Sequence, residues 1–573
     1  MDYKKEYERW LEFSELDERL KAELILIRNN DDEIFSRFYT TLNFGTAGLR
    51  GLMGVGTNRM NVYTVRQATY ALGKYICDLG DGAKQRGVVI AFDSRNNGVR
   101  FAEDAALTLC SLGIKVYIFD SLRPTPELSF AIRKLGAIAG VNVTASHNPK
   151  EYNGYKVYFE DGAQIAGEQA DIIFNYMSCT DPLAVRLASK SQSEQNGLYN
   201  VIGAEIDDAY VNAVLSEKLD IGKISESAKN VSIVYSAFHG AGYKLVPRVL
   251  KELGANVTLQ PDQAVPNGDF PTLKSPNPEE LEGMELSIKL AKQIGSDLVI
   301  ATDPDADRCA IAVIMSNGDV EMLSGNQIGV LLCDFIITVL NEHNKMPENP
   351  AVVSTIVSTL MTKQVCDQNN IDYFEVLTGF KYIGECIASF EKTEGNTFLL
   401  GFEESYGYLK GTYARDKDAV VAAMLITQMA MYYKNKGFNL KQALDSLYKK
   451  YGYFVEKTLS YSISGAVPME QVDKIMTSLR NQDNSFVALT NVLRLRDYKN
   501  STITNIKTGE VKPTNLPVSN VLYYEFEDGC SVIVRPSGTE PKIKLYILTS
   551  GENKYDCNEK LKKYQTYFSQ KLQ

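Results

Sequence analysis

Short apolar runs alternate with amphipathic segments along most of the chain. Residues 88–92 and 116–119 are rich in β-branched residues, and the segments 101–112 and 127–135 that follow them have helical periodicity. This alternation predicts βαβ units, because neighbouring parallel strands need a helical crossover between them. We therefore expect a mostly parallel sheet in this part of the chain.

The same alternation restarts twice. After the polar stretch 189–197, the pattern predicts strands at 231–235 and 297–301 and a helix at 245–253. A third unit begins beyond Leu323, and its predicted elements are a helix at 328–340 and strands at 351–356 and 397–400. No internal repeat is strong enough to indicate duplication.

The two ends of the chain differ from the middle. Residues 1–40 are charged, with an intermittent apolar stripe that predicts a helical lead-in. The last part has three strand-like runs and a charged helix near 555–572, which predicts a smaller α+β domain. We expect three consecutive α/β mixed-sheet domains and this fourth one, with the bounds 1–205, 206–320, 321–455 and 456–573.

Composition narrows the class of protein. The chain has 573 residues, of which 44% are hydrophobic and 23% charged, so several packed domains are expected. A net charge of −10 argues against a nucleic-acid partner. The sequence has neither a signal-peptide pattern nor a long apolar span, so we expect a cytoplasmic protein without a membrane partner. Scattered cysteines and three histidines argue against a zinc centre.

An active-site serine is indicated by the run Asn142-Val-Thr-Ala-Ser-His-Asn-Pro149. The preceding residues suit a buried strand, and Asn148-Pro149 ends regular structure, so Ser146 is expected at a strand's carboxyl end. Ligands bind at that edge of open α/β sheets, which favours chemistry at Ser146 and His147. An ordinary strand-to-turn junction is the alternative, because these residue types are common in turns.

A metal site is predicted in the run Asp303-Pro-Asp-Ala-Asp-Arg308. Three carboxylates this close repel one another, and a hard divalent cation that takes one oxygen from each relieves the repulsion. An EF-hand is excluded, because Arg308 and Ile314 stand where that loop needs Gly and Glu. Asp303, Asp305 and Asp307 are the candidate ligands, and they suit Mg²⁺. A solvated acidic turn is the alternative.

Three further loops carry side chains suited to a sugar phosphate. The run Arg535-Pro-Ser-Gly-Thr-Glu-Pro541 offers a guanidinium, hydroxyls and backbone amides for a phosphate, with a hairpin turn as the alternative. In Gly401-Phe-Glu-Glu-Ser-Tyr-Gly407, carboxylates beside a serine suit adjacent sugar hydroxyls, with a helix cap as the alternative. In the glycine-rich run Asn43–Gly51, Arg50 could reach a phosphate. No nucleotide P-loop motif is present, so ATP hydrolysis is not indicated.

Lys156 follows Ser146 by ten residues. Asn153-Gly154 is a strong two-residue turn signal, so we expect a hairpin that returns Lys156 to the serine. A lysine near a nucleophilic hydroxyl can act as its base or hold its phosphate. A surface lysine on a strand edge is the alternative.

In their order along the chain, the runs at 144–149, 303–308, 401–405 and 535–540 resemble the α-D-phosphohexomutase family. The resemblance spans residues 40–548. The helical lead-in with Trp10 and three further runs look most like the phosphoglucomutase/phosphopentomutase branch; these runs are Phe44–Gly51, Leu377–Gly384 and Arg415–Asp418.

The resemblance implies four domains around a central cleft, a phosphoserine at Ser146, and Mg²⁺ held by the three aspartates with an oxygen of that phosphate. It implies Lys156 as general base, assisted by Arg50 and His147. The residues that it places at the substrate are Arg308, Lys381, Glu403 and Ser405 near the sugar, and Arg535, Ser537, Gly538 and Thr539 at the distal phosphate.

The implied reaction interconverts glucose 1-phosphate and glucose 6-phosphate through glucose 1,6-bisphosphate, which turns around before it returns the other phosphate to Ser146. Phosphopentomutase or phosphomannomutase activity is the alternative, and a sugar-phosphate phosphatase or a non-catalytic sensor are more distant ones. Some relatives have Gly-His after the sugar-loop serine, whereas this chain has Tyr406-Gly407. A role given to that histidine elsewhere therefore does not transfer directly. The sequence does not indicate an oligomeric state.

Overall fold

The computed structural model describes residues 2–42, 48–223, 225, 231–463, 468–481, 490–537 and 542–572. By their contacts the residues form two compact units. Unit 1 comprises Met1–Leu323, Gly384–Thr393 and Tyr406–Gly437, and unit 2 comprises Ser324–Ile383, Glu394–Ser405 and Phe438–Gln573. The finer division into four domains remains a prediction.

The first sheet of unit 1 has six strands in the order β1-β5-β4-β2-β3-β6. Their bounds are β1 Leu49–Leu52, β2 Val88–Phe92, β3 Val116–Phe119, β4 Ala139–Val143, β5 Tyr152–Phe159 and β6 Tyr199–Ile202. Strands β4, β2, β3 and β6 are parallel, whereas β5 is antiparallel to both β1 and β4. Every residue of β2 and β4 is buried, as expected for strands covered on both faces.

Helices precede and connect these strands. Asp2, Asp17 and Asn30 cap the first three helices by accepting hydrogen bonds from backbone N–H groups, which confirms the helical lead-in. The helices are α1 Tyr3–Glu12, α2 Glu18–Ile27, α3 Asp31–Phe38, α4 Val62–Asp78, α5 Asp81–Arg86, α6 Gly98–Ser111, α7 Thr125–Leu135, α8 Gly167–Ser178, α9 Lys190–Gln195 and α10 Ala204–Ser216, with a 3₁₀ turn at Pro182–Ala184.

The second sheet of unit 1 has the order β11-β10-β9-β7-β8. Its strands are β7 Ser232–Ser236, β8 Asn256–Leu259, β9 Leu298–Thr302, β10 Cys309–Ile314 and β11 Val320–Leu323, and its connecting helices are α11 Gly242–Glu252 and α12 Leu281–Ile294. Strands β8, β7 and β9 are parallel, and β10 is antiparallel to β9 and β11. The acidic run 303–308 is therefore the connection between β9 and β10.

Unit 2 contains a parallel sheet in which β12 lies between β13 and β14. The strands are β12 Pro350–Thr355, β13 Asp372–Val376 and β14 Thr397–Glu403, and the helices are α13 Gly325–Glu342, α14 Met361–Gln368 and α15 Phe380–Thr393, the last of which ends in unit 1. The short strand β15 Gly407–Leu409 and the buried helix α16 Ala419–Asn435 belong to unit 1, and α17 Leu440–Tyr451 belongs to unit 2.

The C-terminal part of unit 2 is an antiparallel sheet in the order β16-β22-β21-β20-β17-β18-β19. Its elements are β16 Tyr453–Ser462, α18 Pro468–Asn481, β17 Val492–Asp497, β18 Thr502–Asn505, β19 Val511–Pro513, β20 Leu522–Phe526, β21 Ser531–Pro536, β22 Lys542–Gly551 and α19 Lys554–Leu572. Three α/β sheets followed by a β-rich α+β part confirm the predicted fold class.

The predicted turn at Asn153-Gly154 is wrong. Both residues lie inside β5, and the chain reverses in the segment 147–151 instead. Gly154 is needed for close packing rather than for a turn, because a Cβ there would lie 2.3 Å from the carbonyl oxygen of Thr144. Lys156 still returns across the hairpin, opposite Asn142.

None of the helices in the described ranges is both long enough and apolar enough to cross a membrane.

The core of the lead-in generates a stability prediction. Trp10 is fully buried, its ring lies edge-on to Phe38 and Tyr63 at 5.8 and 5.5 Å, and its Nε1 donates to Glu6. We expect Trp10→Ala to lower the free energy of unfolding by ~3–5 kcal/mol, because a large cavity remains. Denaturant titration followed by far-ultraviolet circular dichroism measures the change.

Leu26→Ala is the matched control, since Leu26 lies in the same lead-in and is 84% exposed. Its expected effect is within about 0.5 kcal/mol of zero. Equal effects of the two substitutions would contradict a packed lead-in.

Candidate active site

Ser146 lies in the loop that follows β4. The residue is buried and its backbone is left-handed, with φ 53°, which serine seldom adopts. Its Oγ donates to Asp303 Oδ2 at 2.9 Å and lies 3.2 Å from His147 Nδ1. Its position after a buried strand confirms the predicted placement, and the contact with Asp303 joins the serine loop to the acidic loop.

The acidic loop is buried, so the interpretation as a solvated turn is wrong. Asp303 and Asp305 are 0% exposed and Asp307 is 2% exposed. One carboxylate oxygen from each lies within 4.8 Å of the others. Asp303 Oδ1 accepts hydrogen bonds from the backbone N–H groups of Asp307 and Arg308 at 3.1 and 2.9 Å. These bonds close the loop around the three carboxylates.

Burial and mutual repulsion set the protonation of the three carboxyls. Burial, and then the charges of Asp307 and Asp305, raise the pKa of Asp303 well above its usual value. Burial also opposes ionisation of Asp307, but Lys417, Lys156 and Arg308 outweigh it and lower its pKa. The pKa of Asp305 is lowered too, because Lys156 outweighs burial and the charge of Asp307.

The carboxylates retain capacity for a cation. Within the described part of the chain, Asp305 Oδ1 and Asp307 Oδ1 are buried and accept no hydrogen bond. Buried oxygens without a donor are costly, and a divalent cation satisfies them. The arrangement can therefore hold a metal ion.

Two lysines lie against the triad. Lys156, on β5, places Nζ 2.7 Å from Asp305 Oδ2 and 3.5 Å from Asp307 Oδ2. It is buried, so the interpretation as a surface lysine is wrong. Burial alone would lower the pKa of Lys156. The charges of Asp305 and Asp307 raise it by more, so the net shift is upward and the side chain is protonated. Lys417 Nζ lies 3.0 Å from Asp307 Oδ2 and 3.1 Å from Asp416 Oδ1.

Sequence reasoning assigned no role to Lys417, although it lies in the run Arg415–Asp418. The feature of the sequence that could have indicated Lys417 is the residue that follows it, Asp418. Asp418 is the N-cap of α16 and accepts hydrogen bonds from the N–H groups of Val420 and Val421. That cap fixes the start of the helix and the position of the lysine before it.

Arg50, His147 and Arg308 lie around the same loops. Arg50, on β1, donates to Asn148 Oδ1 at 3.0 Å and remains exposed. Arg308 donates to Glu279. Desolvation, reinforced by the charges of Arg308 and Arg50, lowers the pKa of His147 well below its usual value, so its imidazole is neutral at pH 7.

Thr125 and Asn142 also support the triad, and the sequence did not indicate them. Thr125 Oγ1 donates to Asp305 Oδ2 at 2.8 Å and accepts from Asn142 Nδ2 at 2.7 Å. The backbone N–H of Thr125 donates to the carbonyl oxygen of Asp305 at 2.8 Å. Such outer contacts orient carboxylate ligands.

Unit 2 brings the predicted sugar-binding residues together. Glu403, at the end of β14, is buried and accepts a hydrogen bond from the backbone N–H of Gly379 at 2.9 Å. Gly379 is the N-cap of α15, whose first turn carries Lys381. Ser405 lies in the turn between β14 and β15. A strand follows this turn, so no helix begins here, but Glu403 does satisfy the N–H at the start of α15, which is part of what the helix-cap alternative predicted.

The predicted phosphate loop joins two neighbouring strands. Arg535 lies on β21, and the backbone N–H of Ser537 donates to Lys542 O at 2.7 Å where β22 begins. The hairpin alternative therefore describes the backbone correctly and does not exclude a phosphate. Gly538 and Thr539 lie outside the described residues.

Tyr546, on β22, connects the two predicted loops of unit 2, and sequence reasoning missed it. It is buried, and its pKa is raised by burial and by the charges of Glu404 and Glu403, while a hydrogen bond with Arg535 opposes the shift. Glu404 in turn accepts from Thr355 Oγ1 at 3.2 Å. The charges of both loops thus act on one tyrosine.

Comparison with known proteins identifies the family. Family models described as phosphoglucomutase/phosphomannomutase α/β/α domains I, II and III match residues 41–182, 208–315 and 324–451. A protein named phosphoglucomutase from Staphylococcus epidermidis is 37% identical over 513 residues, which cover 89% of this chain and 91% of that protein. The chain belongs to the α-D-phosphohexomutase family. It falls in the phosphoglucomutase branch, and its activity is that of a phosphotransferase of the isomerase class.

Further relatives agree. A phosphoglucomutase from Staphylococcus saprophyticus is 34% identical over 525 residues, covering 91% of this chain and 93% of that protein. The crystal structure of a phosphomannomutase homologue from Thermus thermophilus matches with a TM-score of 0.66 at 19% identity, and covers 92% of this phosphohexomutase and 99% of that chain. The similarity to this solved structure supports the fold alone.

The carboxylate triad generates a binding prediction. We expect Asp305→Asn to weaken the affinity for a divalent cation by at least about tenfold. Loss of a residue that only orients a metal ligand already weakens metal affinity by about 10–100-fold. Isothermal titration calorimetry with Mg²⁺ as the probe measures the dissociation constant.

Asp104→Asn is the control, because Asp104 is a buried carboxylate of the same unit that pairs with Arg66 at 2.8 Å. It should leave cation affinity unchanged. If Asp305→Asn binds Mg²⁺ as tightly as the control does, the triad is not the metal site.

Proposed function

We propose that this phosphohexomutase interconverts glucose 1-phosphate and glucose 6-phosphate through a phosphoserine at Ser146 and glucose 1,6-bisphosphate. The observation that carries the proposal is the contact of Ser146 Oγ with Asp303 Oδ2 at 2.9 Å, inside a buried carboxylate triad that Lys156 contacts. A phosphate on that oxygen would lie beside both the carboxylates and the lysine. The name carried by the curated relatives supports glucose as the sugar.

Asp303, Asp305 and Asp307 would hold Mg²⁺ together with an oxygen of the phosphate on Ser146. Bound there, Mg²⁺ would supply a Lewis acid that offsets negative charge on the transferring phosphoryl oxygens. The orphaned oxygens of Asp305 and Asp307 fit this role.

In the forward half-reaction, the O–P bond at Ser146 breaks and a bond from phosphorus to the free sugar hydroxyl forms. The hydroxyl proton leaves the sugar and a proton is returned to Ser146 Oγ, so atoms and charge balance. We assign the first proton transfer to Lys156, with Arg50 and His147 assisting. Lys156 must lose its own proton before it can accept this one, which becomes easier once a bound cation offsets the charges of Asp305 and Asp307 that raise its pKa.

The remaining predicted residues would hold the sugar phosphate. Glu403 and Ser405 would bind sugar hydroxyls, with Lys381 and Arg308 beside the phosphosugar. Arg535, Ser537, Gly538 and Thr539 would bind the distal phosphate, for which a guanidinium and hydroxyls are suited. The bisphosphate must present either phosphate to Ser146, so each of the two phosphate positions needs its own cationic group.

A cytoplasmic location and the lack of nucleic-acid or membrane partners remain predictions from the sequence.

The serine generates the first functional prediction. We expect Ser146→Ala to lose nearly all turnover of glucose 1-phosphate while its melting temperature stays close to that of the wild type, because only the phosphate-carrying oxygen is removed. A coupled assay for glucose 6-phosphate measures turnover, and mass spectrometry detects phosphate on Ser146 of the wild type.

Ser193→Ala is the control, since Ser193 is also buried and its hydroxyl donates to the carbonyl oxygen of Ser189. It should keep wild-type turnover. A Ser146→Ala variant with wild-type rate would remove Ser146 from the mechanism.

Substrate choice generates the second prediction. With glucose 1,6-bisphosphate as activator, kcat/KM for glucose 1-phosphate should exceed that for mannose 1-phosphate and ribose 1-phosphate by at least about tenfold, a difference of about 1.4 kcal/mol in transition-state binding. A preference for ribose 1-phosphate would overturn the assignment to glucose. Phosphate release faster than isomer formation would indicate a phosphatase instead.

A further inference from the structure

Arg95 lies three residues after β2 and is enclosed by the serine loop. Its Nη1 donates to the carbonyl oxygens of Pro149 and Tyr152 at 2.8 and 2.9 Å, and its Nη2 donates to those of Ser146, at 2.6 Å, and Asn148. One guanidinium therefore binds four carbonyl groups within a segment of seven residues. Its side chain is 0% exposed, so water does not share these bonds.

The serine loop needs such a donor. Strand β4 ends at Val143 and β5 begins at Tyr152, so three of these four carbonyl groups, those of Ser146, Asn148 and Pro149, lie outside the strands. Pro149 O also accepts from the backbone N–H of Tyr152 at 3.1 Å, but without Arg95 the carbonyl groups of Ser146 and Asn148 would lose their donor, which would destabilise this conformation of the loop. A planar guanidinium has donors in a fixed fork and can bind several carbonyl oxygens at once, which a lysine ammonium cannot do in the same geometry.

The side chain of Asp93 connects Arg95 to the serine loop. Its Oδ1 accepts from the backbone N–H of Arg95 at 2.8 Å, and its Oδ2 lies 3.3 Å from Arg95 Nε. The same Oδ2 accepts from Thr144 Oγ1 at 2.6 Å, and Thr144 Oγ1 accepts from the backbone N–H of Ser146 at 2.8 Å. The sheet explains this proximity, because β2 and β4 are parallel neighbours with Phe92 opposite Val143.

Ser146 itself needs to be held. Its φ of 53° lies in the left-handed region, which a residue with a Cβ adopts only when its surroundings enforce it. Arg95 binds the carbonyl of Ser146, and the pair of Thr144 and Asp93 binds its N–H. Both backbone groups of the serine are thus fixed by one buried network.

We propose that Arg95, anchored by Asp93, is a positioning residue for phosphoryl transfer: it holds the segment 146–152 so that Ser146 Oγ stays directed at Asp303. The inference rests on the proposed role of Ser146 as phosphate carrier. Arg95 touches neither the transferring phosphoryl group nor the sugar in this scheme, and it acts through the loop backbone.

The test compares Arg95→Lys with the wild type in the full-length enzyme. Lysine keeps the charge and loses the fork, so kcat for glucose 1-phosphate should fall by about 100-fold, as expected for a displaced reacting group. KM should change less than about threefold, because the proposed sugar and distal-phosphate residues are untouched. The rate at which glucose 1,6-bisphosphate phosphorylates Ser146, followed by mass spectrometry, should fall in parallel with kcat.

Arg59→Lys is the matched control. Arg59 is a buried arginine of the same unit that donates to the carbonyl oxygens of Ser36 and Asn58, away from the serine loop. Both variants should lower the melting temperature by similar amounts, and only Arg95→Lys should lose kcat. Equal kcat in the two variants would overturn the positioning role.

A chemical rescue separates positioning from folding. Arg95→Gly should regain at least about tenfold in kcat when millimolar guanidinium enters the vacated space, as expected where the lost group acts through hydrogen bonds. Ser146→Ala should regain nothing. Absence of rescue in a folded Arg95→Gly protein would count against the proposal.

Thr144→Val provides a second route if the arginine variants fail to fold, because valine keeps the shape and removes the hydroxyl between Asp93 and Ser146. Its kcat should fall by about tenfold with KM retained, and an unchanged kcat would overturn the inference. The wild-type enzyme, measured in the same experiment, tests the proposed function itself. If it neither turns over glucose 1-phosphate nor becomes phosphorylated on Ser146, the proposed function fails, and with it this inference.

Discussion

Repulsion among three buried aspartates is the constraint on which the rest of unit 1 depends. Asp303, Asp305 and Asp307 place their oxygens within 4.8 Å of one another and away from water. Charges so placed are tolerated only when cations and hydrogen-bond donors surround them. The groups that do so come from β5, the serine loop, the start of α7, the residue before the N-cap of α16 and the acidic loop itself. They are Lys156, Ser146, Thr125, Lys417 and the N–H groups of Asp307 and Arg308. The packing of both sheets of unit 1 thus serves one small cluster.

Local sequence pattern predicted much of this cluster. Ser146 and the three aspartates follow short buried strands directly, and an apolar run that ends in polar residues marks such a position without knowledge of the tertiary fold. Helices and strands were predicted within a few residues of their observed bounds for the same reason; the helix expected at 101–112 is α6 Gly98–Ser111. Periodicity therefore sufficed for fold class and for the loops that carry the predicted chemistry.

What could not be predicted depends on packing between distant segments. Asp93 follows a predicted strand just as Ser146 does, but its role appears only when β2 and β4 are known to be neighbours. The turn expected at Asn153-Gly154 fails because Gly154 is required by the close approach of Thr144 and Leu49 across the sheet. The carboxylate of Glu403 likewise binds the N–H of Gly379, 24 residues away, and does not cap a helix of its own. A residue type common to turns, caps and tight packing cannot be assigned from its neighbours alone.

The electrostatics of the cluster favour the proposed phosphate carrier over a base-activated nucleophile. A serine of the hydrolase kind needs an imidazole that accepts its proton and is stabilised as imidazolium by a carboxylate. Here desolvation, and then the positive charges of Arg308 and Arg50, lower the pKa of His147 and oppose that imidazolium, and the serine hydroxyl donates to Asp303 instead. The same positive charges would favour a phosphate dianion on Ser146, since unlike charges attract, whereas the three carboxylates oppose it unless a cation is bound. The positive charges that make His147 a poor base are those that would offset part of the charge of the proposed phosphoserine.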